Sequence, residues 1–241
     1  MSSVNIRPLT TLNEFAKCRE LQREAFGTPE SDLFPVRYLV VLTHIGGAVF
    51  GAYDGERLVG FLNTMPGIRQ GRPYWHSQAL GIARDYWSSG VGTQLKLAQR
   101  DEAIARGIHL IEWTFDPLES KNAYLNIEKL GVIVRRYYPN HYGHVSSAIF
   151  HGLDSDRVVA EWWLGEPRIP MSGETRRVVI PRDLQSLKKH DIEAAREVQR
   201  RVRKEFLQNI QDDFFVVALE RKAHASEYIF VRGAGRAYSE N

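Results

Sequence analysis

Apolar and polar positions alternate from Val4 to Leu9, which predicts a short edge strand. From Leu12 the period changes to that of a helix, with Phe15, Cys18, Leu21 and Phe26 on one side and charges opposite. Thr11 is placed to cap this helix, which is expected to run to about Ala25 and to stop at Gly27 and Pro29. Pro35 opens a second, short helix through Leu42, ended by Gly46 and Gly47. Ala48–Tyr53 and Arg57–Met65 read as strands joined by Asp54-Gly55, a hairpin signal. The third strand is expected to end near Pro66, and Tyr74–Ala83 to form the fourth after a turn at Arg69–Pro73. The next helix begins near Val91, with Leu95, Ala98, Ala103 and Ile104 on its apolar side, Lys96, Gln99, Arg100 and Arg106 outward, and Gly107 closing it.

Leu110–Phe115 reads as a fifth strand ending at Asp116-Pro117. Ser120 is expected to cap a helix to Leu130 that Gly131 ends, followed by strands at Val132–Tyr138, Val145–Phe150 and Val158–Leu164. Helices interleaved with strands predict an α/β (α+β) domain, a mixed sheet with helices on its faces, over residues 1–164. Glu166-Pro167 to Gly173 reads as a linker, and residues 165–241 as a C-terminal extension that completes the sheet or forms a small subdomain. Within it, Arg176–Ile180, Phe214–Leu219 and Tyr228–Val231 suggest strands and Ile192–Ile210 a helix. This order echoes the first sixty residues, so an internal repeat is one expectation. Gly233–Asn241 has the composition of a disordered end.

The 241 residues, 43% of them hydrophobic and 25% charged, suffice for a full core. No apolar run is long enough to span a membrane, and the first residues lack the apolar core of a signal peptide. Cys18 is the single cysteine, so no internal disulfide forms, and no metal-ligand spacing is present. These features predict a cytoplasmic protein without a metal. The net charge of +3 suits an anionic ligand without calling for nucleic acid. The basic run Arg200–Lys204 is diluted by Glu193, Glu197 and Glu205 and lacks a stacking set of aromatics, so it reads as a solvated helix face.

The stretch that stands out is the loop Ser88-Ser89-Gly90-Val91-Gly92-Thr93 between the fourth strand and its helix. Small residues let backbone N–H groups approach an anion, and a helix N-terminus adds unsatisfied donors and partial positive charge. Strand, small-residue loop and helix together predict a phosphate or pyrophosphate site.

With that loop, the order of elements from Val4 to Tyr142 resembles the GNAT superfamily of CoA-dependent N-acyltransferases. Members carry Gln/Arg-x-x-Gly-x-Gly/Ala after the fourth strand. Here both glycines are present, as Gly90 and Gly92, and Trp87 holds the first position. The resemblance implies a mostly antiparallel GNAT-like sheet, with acetyl-CoA or another acyl-CoA as co-substrate. Its pyrophosphate would lie on Ser88–Thr93 and its pantetheine arm would pair with the backbone near Leu80 to Ile82. Members often place a tyrosine, as general acid, four residues before the glycine that ends the helix before the sixth strand. Ile127 stands there in this chain, and Ser120 holds the usual asparagine position, with Asn122 and Asn126 on the same helix. Asn122 is then the asparagine offered to the cofactor. The runs WTFDPLESKNAYLN and YYPNHYG point to a GNAT-like subgroup with relatives that look like companions of N-acylamino acid racemases. That likeness implies N-acylation, including succinylation, of a small amine or amino acid. It implies no membrane or nucleic-acid partner, and leaves a homodimer open.

Such chemistry needs a group to take the proton from an ammonium before it attacks the thioester. By period two, His76, Gln78, Leu80 and Ile82 share one face of the fourth strand, and Leu110, Glu112, Thr114 and Asp116 one face of the fifth. His76, Glu112 and Asp116 are therefore the base candidates, and Tyr142 and Tyr138 the substitute acids. The structural alternatives are an ion pair of Glu112 with an arginine such as Arg135, and an Asp116 that orders the turn before Pro117. A non-catalytic acyl-CoA or nucleotide-binding module is the alternative function.

Overall fold

The computed structural model describes residues 4–27, 30–143 and 152–233, and the expectations for Pro29, for Val145–Phe150 and for 234–241 fall outside these. The chain forms two compact units, residues 1–112 and 113–241.

In the first unit, β1 (Asn5–Pro8), β2 (Ala48–Asp54), β3 (Arg57–Arg69) and β4 (Arg72–Ile82) pair antiparallel in that order. The start of β5 (Leu110–Phe115) lies parallel to β4, with Trp75 opposite Ile111 and His76 opposite Glu112. Helix α1 (Leu12–Phe26) begins in a capping box between Thr11 and Glu14, ends at a left-handed Gly27, and buries Phe15, Cys18 and Leu21. Burial pushes the Cys18 thiol up to about 12, which leaves it a packing residue. Helix α2 spans Val36–His44 and helix α3 Val91–Ala105. Gly60 lets α3 sit down on the sheet, because a Cβ there would lie 3.0 Å from Val91 Cγ1 and 3.1 Å from Leu95 Cδ1.

Three expectations are corrected here. β3 does not end at Pro66 but continues to Arg69, where Gln70 and Gly71, both at positive φ, turn the chain tightly into β4. Pairing with β2 stops at Thr64, so Pro66 sits where β3 has β4 as its neighbour, and a missing N–H is tolerated on such an edge. On α3, Lys96 and Gln99 are buried while Ile104 is half exposed. At about 100° per residue, Val91, Leu95, Gln99, Ala103 and Lys96 fill one arc of about 140°, and Ile104 falls well outside it.

The third correction concerns the faces of β4. Asn63 pairs with Ala79 and Thr64 with Ser77, so Gln78 is an extra residue, a β-bulge. The bulge breaks the alternation. Leu80 and Ile82 lie beside Gly92 of α3, and Ser77, three residues before Leu80, also reaches α3. His76 is thereby turned to the opposite face from Leu80 and Ile82.

In the second unit, β7 (Arg157–Trp163), β6 (Ile133–Tyr138), β9 (Phe214–Arg221), β10 (Ala225–Arg232) and β8 (Thr175–Pro181) are antiparallel neighbours in that order. Helix α4 (Ser120–Tyr124) passes into a π-helical stretch, Leu125–Leu130, closed by a left-handed Gly131. Ser120 does not cap it: its hydroxyl is buried 2.7 Å from that of Ser226. Helix α5 (Leu184–His190), which the sequence pattern did not single out, precedes α6 (Ile192–Gln211). Phe206 of α6 packs among Tyr137, Tyr228 and Phe230 at ring distances of 5.0–5.5 Å. The element order does echo the first unit, but the pairing differs. β1 joins the first strand of its hairpin, whereas β8 joins the second strand of the β9–β10 hairpin. The extension is therefore not a repeat of the first sixty residues.

Candidate active site

The loop after β4 is built to expose backbone amides. Ser88 has φ 64° and Gly90 φ 91°, so the chain turns twice through the left-handed region before α3 begins. A residue with a Cβ strains at Gly90. The loop is held from below. Arg57, on β3, grips Asp85 at 2.6 and 3.1 Å, and the Tyr86 hydroxyl donates to Asp54. The Ser89 hydroxyl donates to the Tyr86 carbonyl at 2.6 Å. Val91 is buried while Ser88, Ser89 and Gly90 are exposed. The first-turn amides of α3 at Gly92 and Thr93 have no intrahelical acceptor.

Ala83 N–H donates to the Val59 carbonyl at 2.9 Å, so Ala83 and Gly81 turn their polar groups to β3, while Leu80 and Ile82 turn theirs away from it. Trp87, 60% exposed, lays its indole across this outward edge and donates to the Ile82 carbonyl at 3.0 Å.

His76 and Glu112 are brought together as register partners on neighbouring parallel strands. Glu112 is 4% exposed and pairs with Arg69, not Arg135. Arg135 instead binds Glu161, its Nε 3.0 Å from Oε2. The reason is the unexpected length of β3, which carries Arg69 up to Glu112. Asn63 lies on the same face as His76, with its side-chain amide fully buried and neither Oδ1 nor Nδ2 hydrogen-bonded.

The remaining candidates belong to the second unit. Asp116 accepts from the Leu118 N–H at 2.8 Å and so orders the Asp-Pro turn; burial pushes its carboxyl above the ordinary value. Tyr142 is half exposed, with its hydroxyl 2.9 Å from Thr114 Oγ1. Tyr138 stacks on His141 at 5.0 Å. Asn122 is exposed and accepts from Asn126 Nδ2 at 3.3 Å. Ile127, at the position where the resemblance expects tyrosine, is fully buried.

Residues 15–131 match the family model described as the acetyltransferase (GNAT) family. The chain carries a GNAT acetyltransferase domain. The matched span runs from α1 to the end of the π-helical stretch and so contains the amide-lined loop. Among solved structures, this chain is similar to an acetyltransferase of the GNAT family from Streptococcus pneumoniae, with 16% identity, a TM-score of 0.53, and coverage of 68% of this chain and 100% of that one. It is also similar to aminoglycoside 6'-acetyltransferase type Ii, at 20% identity and TM-score 0.53, over 68% of this chain and 99% of that one. A third is the NatC complex bound to Gag peptide and CoA, at 15% identity and TM-score 0.53, over 67% of this chain and 99% of that one. At these identities the likeness is one of fold. No curated protein sequence matches the chain. The match over residues 15–131 implies acyl transfer from CoA, and the mostly antiparallel, helix-flanked strands are those of a GNAT-like fold.

Sequence reasoning missed Arg69, Ser77, Lys96, Gln99 and Asn63. The signal for Lys96 was its place between Leu95 and Leu97, inside the apolar run of α3.

Proposed function

We propose that the GNAT domain transfers an acetyl or other short acyl group from CoA to the amine of a small molecule or amino acid. The observation that carries this reading is the Ser88–Thr93 loop, exposed from Ser88 to Gly90, tethered through Arg57–Asp85 and opening α3, inside the segment that matches the family. In this reading the CoA pyrophosphate lies against the amides of Ser88, Ser89, Gly90, Val91, Gly92 and Thr93. The pantetheine arm follows the outward backbone groups of Leu80 and the N–H of Ile82, whose carbonyl already accepts from Trp87. The amine nitrogen attacks the thioester carbon, the C–S bond breaks, and the proton passes from the ammonium to His76. Glu112, held by Arg69, stands beside His76 and favours the imidazolium that forms. The thiolate takes its proton from water or from Tyr142. Asp116 and Asn122 complete the set of candidates, as a second base and as a cofactor contact.

One observation favours the alternative of a non-catalytic acyl-CoA-binding module: the buried Ile127 leaves no tyrosine at the position the resemblance expects. Thiol release from acetyl-CoA and succinyl-CoA across a panel of amines decides between them. Amine-dependent release supports transfer. Tight CoA binding with no release on any amine supports the module.

A further inference from the structure

Lys96 is a buried group that the proposed reaction leaves unused. It sits on α3 with 3% of its surface exposed, beside Gln99 and Ser77, which are 0% and 5% exposed. Its Nζ donates to Ser77 Oγ at 2.8 Å and to Gln99 Oε1 at 3.4 Å. Burying an amine in this way is costly even with partners. Burial drives its pKa well below the ordinary value. Thr64, opposite Ser77, is also buried and donates to the His76 carbonyl at 3.1 Å. Lys96, Ser77 and Thr64 thus form a polar cluster against one face of the sheet, directly under the Gln78 bulge.

The bulge is where the alternation of β4 changes. On its far side Leu80 and Ile82 face α3. On its near side Ser77 faces α3 and His76 therefore faces away, toward Glu112. A strand without the extra residue would turn Ser77 from α3 and move His76 to the side of Leu80. We infer that Lys96 is a positioning residue for acyl transfer: by holding Ser77 against α3 it fixes the β4 bulge and with it the side of the sheet on which His76 meets the substrate. The inference rests on the acyltransferase reading and adds to it a residue on the opposite face from the proposed base. The step it supports is unchanged in its atoms. Lys96 neither gives nor takes a proton from the substrate.

The test compares wild type, Lys96→Met, Ser77→Ala and the double variant. Methionine keeps the length and apolar stem of lysine and removes the donor. Wild-type turnover is measured with the most active amine, and His76 is followed by its imidazole signals in NMR spectra. The expected result has four parts. Lys96→Met lowers kcat by about tenfold to a hundredfold, the loss expected when a reacting group is misplaced by about an ångström. KM for acyl-CoA stays within about twofold, because the Ser88–Thr93 loop is untouched. Ser77→Ala reproduces the effect and the double variant adds little, as expected of two residues acting through one contact. The His76 signals shift in Lys96→Met while the melting temperature is not lowered.

The inference is overturned if Lys96→Met keeps wild-type kcat, or if the His76 signals stay in place. The NMR readout decides the matter even in a protein that releases no thiol with any amine. That inactivity would sink the acyltransferase reading, whereas unmoved His76 signals in an active enzyme would sink only the role of Lys96. A fall in kcat accompanied by a lowered melting temperature and an equal rise in KM also counts against it, because that pattern is general loosening.

Discussion

The indole N–H of Trp87 donates to the carbonyl of Ile82 at 3.0 Å, and so occupies one of the backbone acceptors that β4 turns away from β3. This bond folds the start of the loop back along the strand and leaves the ring exposed, next in sequence to Ser88–Thr93. Trp87→Phe keeps a ring and removes the donor. A neutral hydrogen bond contributes about 1 kcal/mol, so CoA affinity should weaken by roughly fivefold. Titration calorimetry measures this, and a wild-type fluorescence change on CoA addition that is missing in Trp87→Phe places the ring at the site. An unchanged affinity and a fluorescence response that persists would remove Trp87 from it.

Gly90 and Ser88 should behave oppositely. Gly90 is at φ 91° with open space around it, so Gly90→Val strains the backbone and also puts a branched side chain among the exposed amides. CoA affinity should fall by at least about tenfold. Ser88→Ala removes a hydroxyl from an exposed position and should leave affinity within about twofold. Gly92→Val tests the other glycine, whose Cβ would meet Leu80 and Ile82 at 3.7 and 4.0 Å, ordinary contact distances, so its effect should come from crowding the ligand. Equal CoA affinity in wild type, Gly90→Val and Gly92→Val would refute the pyrophosphate assignment.

Arg69, about a third exposed, pairs with the buried Glu112, and truncating the arginine leaves that carboxylate buried without this partner, a cost below the roughly 3–5 kcal/mol of a fully buried pair. Arg69→Met should therefore lower the melting temperature by several degrees. Glu112→Gln removes the charge and keeps the shape. With His76 as the base, His76→Gln should cut turnover at pH 7 by about a hundredfold, with part of it recovered at high pH where the amine is already neutral. Glu112→Gln should lose less. If Glu112→Gln shows the larger loss and the stronger recovery at high pH, the carboxylate is the base instead.

Lys96 predicts a signed dependence of stability on pH. Its native value is depressed from 10.5, so between that depressed value and 10.5 the unfolded chain binds a proton that the native chain does not. Its contribution is then least favourable below the depressed value and improves as pH rises to 10.5. Each unit of depression costs about 1.4 kcal/mol, whereas a hydrogen bond contributes about 1 kcal/mol. Lys96→Met should accordingly be the more stable protein at pH 7, by a few degrees in melting temperature. The gap should close toward pH 10. Chemical denaturation of both proteins at pH 6, 8 and 10 measures it, and a gap that widens with pH would show that the Lys96 pKa is not depressed by burial.

Ile127 is fully buried within the π-helical stretch, so Ile127→Tyr would place a hydroxyl in a packed interior. Over-packing costs about 1–3 kcal/mol, and the variant should lose stability without gaining turnover. Tyr142→Phe keeps the ring beside His141 and removes the hydroxyl near Thr114. A loss of kcat in Tyr142→Phe, with Tyr138→Phe unaffected, assigns the acid to Tyr142. Full activity in both leaves water to protonate the thiolate.

Local pattern was enough for the elements whose signals are themselves local. Thr11 and Glu14 are three residues apart and close their capping box with partners within the same stretch of chain, and Asp54-Gly55 turns its hairpin by backbone preference. The loop at Ser88–Thr93 was readable for the same reason, since its small residues and the helix after it are contiguous. Tertiary structure decided what depends on partners distant in the chain. Lys96 looks solvated in a list of residues, and only the packing of α3 over β4 buries it against Ser77, nineteen positions away. The side taken by His76 was set by one extra residue at Gln78, and a bulge is a mismatch between two strands that neither strand shows alone. Glu112 found Arg69 and not Arg135 because β3 continues through Pro66 once β2 has ended, and that freedom exists only in the assembled sheet.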